Sequence, residues 1–577
     1  MSKILSVAWI AFACCALCLR AENAPIEWHV YSDVRDGRTG NQQLTNAFIQ
    51  AKSGDTITIH AGTYNLATEE MIFRYEYTNS AHEVVVDDTQ GTCLFSSVDN
   101  LTVQGDPLAN REDIVLSGLG GASETAEDGQ HQIMRLEGAS CTVKHLTFYK
   151  GIAAFDKTMF RDNQLITTDK WAYRRGGGLY FKKSSSICRD CVFERCYASH
   201  GGAAALGTYY DCLFIRNSGR ASQYAGALYG ASGAYTCRFE ENKRGALRSS
   251  SGVVSNCFFI ANLHNGGNGI FFDQQGSIVD CVFTNNSINS VLEGSKTVSE
   301  IARCKFYGQH MITNLANRIS SCSFVRTDAT SFGILANCQR VEDCRFISLL
   351  GSSTTSIEVS DGKNASIVSN CVLSRCELSG FNVRRGWVFF DVPSADNCLI
   401  EDNNIWGYDK AGVFGYSDGR ASSIVNCTIV SNKCNNGFYN EGQGVVTFRN
   451  TLFFNNKVGG RSWRKFDIEY KSGYGHDTVR MVNSIYKSDK TFDGTASLNK
   501  YNDWNFSPMF MKDRYPNKIL EHPYALCHLS PCIGFGTNDG LSENDIDLAR
   551  KKRLNGIVDV GCYENWHVSP GLKVVVR

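Results

Sequence analysis

The sequence predicts an all-β solenoid in which each short repeat makes one turn of a parallel β-helix. Three observations carry this. A Cys-x-Φ pattern (Φ being Phe, Leu or Ile) recurs at Cys191, Cys212, Cys237, Cys257, Cys281, Cys304, Cys322, Cys344, Cys371 and Cys398, continues at Cys427 and passes to Thr451. The intervals run from 18 to 29 residues, with a mean near 24. Each unit also pairs a piece that follows small residues, as in Gly176-Gly177-Gly178-Leu179-Tyr180, with a Cys-x-Phe piece that often ends in Asn, as in Phe239-Glu240-Glu241-Asn242. Short alternating runs punctuated by Gly, Ser and Asn read as strands and turns, and a unit this short leaves no space for a helix. Leucine-rich horseshoes want another signature, and propeller blades want ~40 residues or more. Stacked coils place equivalent residues ~4.8 Å apart. Inward positions should then form ladders of Cys, Phe and Ile or Val, with Asn stacked at the corners.

The elements follow in order. Residues 1–21 read as a signal peptide: Lys3 supplies the positive start, Ile4 to Leu19 is mostly apolar, and Arg20 closes the run. That run is shorter than the ~20 residues of a spanning helix, and no second one follows, so no membrane span is expected in the mature chain. Residues 22–149 are expected to hold an N-terminal cap and the first coils. The cap is helix-like from Asn41 to Lys52 and leads into Gly54-Asp55-Thr56-Ile57-Thr58-Ile59 and Gly62-Thr63-Tyr64. Residues 150–175 interrupt the coil pattern as an inserted loop, and 176–460 carry the regular coils. From Arg461 the period lapses, so 461–577 should hold the last coils and an irregular cap over the open end, because an uncovered coil exposes a sheet edge.

Composition narrows function. The 58 basic and 58 acidic residues balance, which excludes a whole-chain nucleic-acid binder. With three cysteines in the leader, 21 of the 24 remain. Their single register marks them as small buried hydrophobes, not as a disulfide framework or zinc site. The Cys188-Arg189-Asp190-Cys191 spacing stands alone.

Gly54-Asp55-Thr56-Ile57 through Gly62-Thr63-Tyr64 resembles the opening of pectin-lyase-like right-handed β-helix proteins. The Gly-Gly-Ala and Phe-x-x-Asn alternation is similar to repeats of polymorphic outer-membrane proteins. Ser530-Pro531-Cys532-Ile533, Asp547, Arg553 and Asp559-Val560-Gly561-Cys562-Tyr563-Glu564 resemble the end of many secreted bacterial β-helix proteins, with Cys562 where Ala is usual. The resemblance implies a secreted or cell-surface right-handed scaffold and leaves function to the site.

Three features rise above scaffold. The interruption carries Lys157, Arg161, Lys170, Trp171, Tyr173, Arg174 and Arg175, and inserted loops on rigid scaffolds commonly bind or catalyse. Charge is segregated: residues 21–149 are net −12 and residues 150–250 net +8, and a basic band attracts an anionic polymer. Carboxylates precede several anchors, namely Asp273, Glu293, Asp361, Asp391, Asp418 and Glu441. Crowded carboxylates take up protons, bind Ca²⁺ or act as an acid–base pair.

The expectation is a secreted, monomeric protein that binds an anionic polysaccharide and cleaves it by β-elimination if it is an enzyme. Lys182, Arg174, Arg175 and His200 are the candidates for neutraliser and base. Lys157, Arg161, Lys170, Trp171, Tyr173 and Tyr180 would contact the chain, and Asp273 with Glu293 would hold Ca²⁺ if a metal is used. Two alternatives stand beside it: a non-catalytic adhesin or structural rod, and a glycoside hydrolase using Asp273 and Glu293.

Overall fold

The computed structural model describes residues 24–66, 73–78, 84–118, 130–153, 175–219, 226–248, 250–263, 270–286, 291–293, 297–308, 312–313, 316–326, 335–336, 338–348, 357–358, 366–369, 372–379, 382–384, 387–390, 392–406, 412–416, 421–434, 436–440, 444–458, 470–472, 479–488, 492, 497–499, 506–554 and 556–565. The chain forms two compact units, Met1–Phe272 and Asp273–Arg577.

In the first unit, three parallel sheets wind around one core. The first sheet steps from Glu27–Val30 and Thr56–Ile59 through Thr142–Lys144 and Ile187–Arg189 to Val254–Ser255. The second runs from Gly62–Asn65 through Val192–Glu194 to Phe258–Ile260. The third passes through Val84–Ser96, Gln130–Leu136, Leu179–Phe181, Ala204–Ala205, Leu228–Tyr229 and Leu247–Arg248, each in parallel register with the next. Helix α1, Gly40–Gln50, is the helix-like element of the expected cap. It starts on a Thr39–Gln42 capping box and buries Leu44, Ala47 and Phe48.

One residue turns the chain from first to second sheet in each coil. That residue adopts a left-handed conformation, with φ of 52° at Asp190, 54° at Asp211, 52° at Thr236 and 54° at Asn256. The next residue is the Cys of the repeat, buried behind the corner, and two positions later a Phe points inward. Phe148, Phe193, Phe214, Phe239 and Phe259 stack face to face with centroids 4.8–5.0 Å apart. This is the spacing stacked coils impose. At the far end of the strand, Asn217 donates from Nδ2 to Asn242 Oδ1 at 3.0 Å, and Asn242 does the same to Asn262. The asparagines are buried and satisfy turn backbone, including the Phe193 and Phe214 carbonyls.

The second unit repeats the scheme. Its stack is Phe283, Phe306, Phe324 and Phe346 at 4.6–4.9 Å, and its asparagine ladder is Asn403, Asn432 and Asn456. The described cysteines are buried free thiols. Each column thiol serves the corner: Cys322 Sγ donates to the carbonyls of Ser320 at 3.3 Å and Ile301 at 3.6 Å. Where the column leaves cysteine, hydroxyls take over. Thr451 Oγ1 donates to Arg449 and Ile424, and Ser484 Oγ to Val482 and Phe448.

The register corrects one anchor. Arg345 pairs with Glu377 and Phe346 with Leu378, so the thiol after Cys344 in the column is Cys376. Leu373, which follows Cys371 by two positions, belongs to the first sheet, where it aligns with Val341. Both triplets fit the sequence pattern, and only their pairing with the neighbouring coil separates them.

Part of the final segment packs on a sheet face. Described residues between 506 and 565 pack on the outer face of the second unit's second sheet. Phe510, Tyr524, Leu526, Cys532, Val560, Cys562 and Tyr563 bury the outward Leu399, Val430, Leu452 and Ile485. The physical reason is in those four residues: outward apolar side chains on consecutive coils need a cover. The Cys562 amide donates to Thr428 Oγ1 at 3.0 Å, and Gly561 to the Asn450 carbonyl at 2.8 Å.

Candidate functional site

In the first unit the outward positions of the third sheet form one column, because parallel register stacks them. Phe95 aligns with Arg135, Arg135 with Tyr180, Tyr180 with Ala205, Ala205 with Tyr229 and Tyr229 with Arg248. Their neighbours Leu94, Met134, Leu179, Ala204, Leu228 and Leu247 point into the core. The strand period of two thus puts cations and aromatic rings on the opposite side from the packed leucines.

The arginines lie against rings. The Arg135 guanidinium is 5.9 Å from the Phe95 centroid and 5.6 Å from that of Tyr180, and Arg175 lies 4.8 Å over Tyr229. Such contacts hold a guanidinium in place while leaving its charge. His200 meets the same Tyr229 edge-on, with centroids 4.9 Å apart, and the backbones of Arg175 and His200 form a parallel bridge. Gln132 donates to the Arg175 carbonyl at 2.7 Å, anchoring that chain segment to the sheet.

Beside this column sits a carboxylate between two cations. Glu137 pairs with Arg135 through Oε1 and with Lys182 through Oε2, the latter at 3.0 Å. Burial pushes the Glu137 carboxyl up, but the Lys182 hydrogen bond and the Arg135 charge outweigh it, and the group stays below the usual carboxylate range. Solvent reaches the three unequally: side-chain exposure is 39% for Lys182, 16% for Glu137 and 5% for Arg135.

Four of the residues expected from sequence lie along this side of the third sheet: Lys182 and Arg175 are partly exposed, and Tyr180 and His200 are buried. Lys157, Arg161, Lys170, Trp171, Tyr173 and Arg174 lie outside the described residues. Asp273 stands at a left-handed position with φ of 52°, and the Glu293 backbone lies in the strand Leu292–Glu293, its side chain outside the described set. Asp361, Asp391, Asp418 and Glu441 are likewise outside. Among the described residues no group of three or more His, Cys, Asp or Glu side chains is arranged to hold a metal.

Sequence reasoning missed Arg135, Glu137, Tyr229 and Arg248. A signal was available, since each column residue follows the inward Met134, Leu179, Leu228 or Leu247 of its strand. The basic band also proves to be spread around the coil. Arg216 is paired with Glu241 at 2.7 Å and Arg238 with Glu240 at 2.8 Å, on or beside the second sheet. A net charge along the chain counts residues whose side chains leave on different faces.

Residues 307–469 match the family model described as "Right handed beta helix region". The chain is a right-handed parallel β-helix. Solved structures with a similar course include the alginate lyase AlyGC, at 11% identity over 80% of this chain and 85% of that one, with a TM-score of 0.24. Pectate lyase Pel9A is 10% identical over 94% and 97%, with a TM-score of 0.22. Tailspike protein 3 of bacteriophage CBA120 is 10% identical over 80% and 62%, with a TM-score of 0.30. A search of curated proteins finds no match. At these identities the likeness of this right-handed β-helix to solved structures is one of fold alone. Among the described residues no helix is long and apolar enough to cross a membrane.

Proposed function

We propose that the protein is exported and binds an anionic polysaccharide along the third-sheet face of its first unit. The observation that carries this is the in-register column Arg135, Tyr180, Tyr229 and Arg248, flanked by Lys182, Arg175 and His200. Repeating positions ~4.8 Å apart suit a repeating polymer. The cations answer carboxylate or sulfate groups, and the partly exposed Tyr229 ring, packed on the buried Tyr180, supplies apolar contact beside them.

Cleavage by β-elimination is the finer reading of the same face. Lys182 or Arg175 would neutralise a uronate carboxylate and so acidify the neighbouring C–H, and His200 or Lys182 would take that proton. Retention on polygalacturonate, alginate and sulfated glycans tests binding, and absorbance near 235 nm reports the unsaturated product. A triple K182A/R174A/R175A variant should lose roughly 3- to 150-fold in affinity, since exposed charged contacts contribute about 0.2–1 kcal/mol each. Unchanged retention would reject this face. Binding without new absorbance or reducing ends would leave a non-catalytic adhesin.

A further inference from the structure

The Arg135–Glu137–Lys182 group is built from backbone that cannot shift easily. Arg135 and Glu137 are two residues apart and leave the same side of their strand, with Leu136 buried between them. Leu136 pairs in register with Phe181, so Glu137 and Lys182 face each other across adjacent coils. The Glu137 amide donates to the Ser96 carbonyl at 2.8 Å, and the Lys182 amide to that of Leu136 at 2.9 Å. Arg135 is held independently of Glu137 by the Phe95 and Tyr180 rings on either side.

Each carboxylate oxygen of Glu137 meets one cation, so the pair Arg135–Lys182 already forms a clamp of carboxylate size. Lys182, the most exposed member, stands at its mouth, and Glu137 fills it.

We propose that Glu137 is a resident anion in a clamp whose other occupant is a carboxylate of the bound polymer, so that Glu137 sets the affinity and charge threshold of this face. This rests on the polysaccharide reading above. An incoming carboxylate takes the two donors in exchange for Glu137, whose side chain turns out to solvent. A polymer with sparse charge gains too little to displace it. The exchange is non-covalent and needs no co-reactant. A carboxylate that served only to position Lys182 would behave in the opposite way, because removing its charge would loosen the lysine and weaken binding.

The test compares full-length wild type, E137Q, K182Q, the double variant E137Q/K182Q, and D33N as a remote, exposed control with the same charge change. Each is titrated with polygalacturonate at two ionic strengths, with thermal melts to confirm folding. The expected result is a gain of roughly fivefold or more for E137Q, absent from D33N and abolished in E137Q/K182Q. Should E137Q bind no tighter than wild type, or should the gain persist without Lys182, the clamp is overturned while the polysaccharide reading stands. If no variant retains polygalacturonate, alginate or a sulfated glycan, both fall together. Should E137Q fail to fold, E137D takes its place: a shortened carboxylate cannot span both cations, and it must also bind the polymer more tightly than wild type.

Discussion

The two units are built on the same kind of interior and differ in what they do with an outer face. In the first, the outward column of the third sheet carries cations and aromatic rings around Ala205, with Arg135 and Tyr180 buried and Lys182, Tyr229 and Arg248 partly exposed. In the second, outward residues of the second sheet are apolar and are covered by residues 506–565 of the same chain. Each unit has its own Phe stack and Asn ladder, so the coil is indifferent to its outer surface. The inner ladders make the coil, and the outward column decides whether a face carries charged and aromatic groups or takes the chain's own tail.

The covering segment carries the sharpest contrast. Arg553 is fully buried and donates to the carbonyls of Asp559 and Gly561. Asp547, Asp559 and Glu564 are buried with it, and their oxygens accept backbone amides of Lys551, Asn565, Gly534 and Asp559. The Asp-x-Gly-Cys-Tyr-Glu ending is thus a structural clasp. R553M should cost about 2–5 kcal/mol, because it leaves the buried Asp559 and Gly561 carbonyls without their charged donor. Denaturation followed by proteolysis at 506–565 should show the loss in the second unit, with polysaccharide retention by the first unit unchanged.

F239A is the counterpart inside the first unit. Removing one ring from the stack leaves a cavity between Phe214 and Phe259 and should cost ~3–5 kcal/mol. Chemical denaturation checks it, and a cost below about 1 kcal/mol would mean that the ladder is not what holds the coil.

pH divides the units further. Burial raises the Glu564 carboxyl to about 8, with the Asp559 charge adding to it, and burial also raises Asp547, Asp559, Asp396 and Glu401. Groups that hold protons more tightly when folded contribute stability that is full below their unfolded range and is lost as pH rises through their folded values. The covering segment should therefore loosen between about pH 4.5 and 8. Hydrogen exchange of residues 506–565 across that range would show it, and E564Q should flatten the dependence. In the first unit Glu137 is shifted the other way, so its ion pairs persist at neutral pH and are lost on acidification.

The smallest effect is expected at the corners. C322S should change stability by less than ~1 kcal/mol, since Thr451 and Ser484 already make the same hydrogen bonds with hydroxyls. C322A, which leaves the Ser320 and Ile301 carbonyls without that donor, should cost more.

How much of this was legible follows from which side of a strand a residue leaves. Inward positions recur with a period of two inside a coil and about 24 residues between coils, so the Phe stack, the thiol column, the Asn ladder and helix α1 could be read directly. Burial restricts what such positions accept, and that restriction is what makes a repeat visible. Outward positions accept almost anything. Whether Arg135 stands beside Tyr180 depends on pairing residues 45 apart, across a coil much longer than the mean. The same uncertainty in coil length left Cys371 and Cys376 indistinguishable until Phe346 met Leu378. Local pattern dictated the coil and its core. Register across coils of unequal length, which no local pattern encodes, decided which charges share a face, which carboxylate fills the clamp and which face the tail covers.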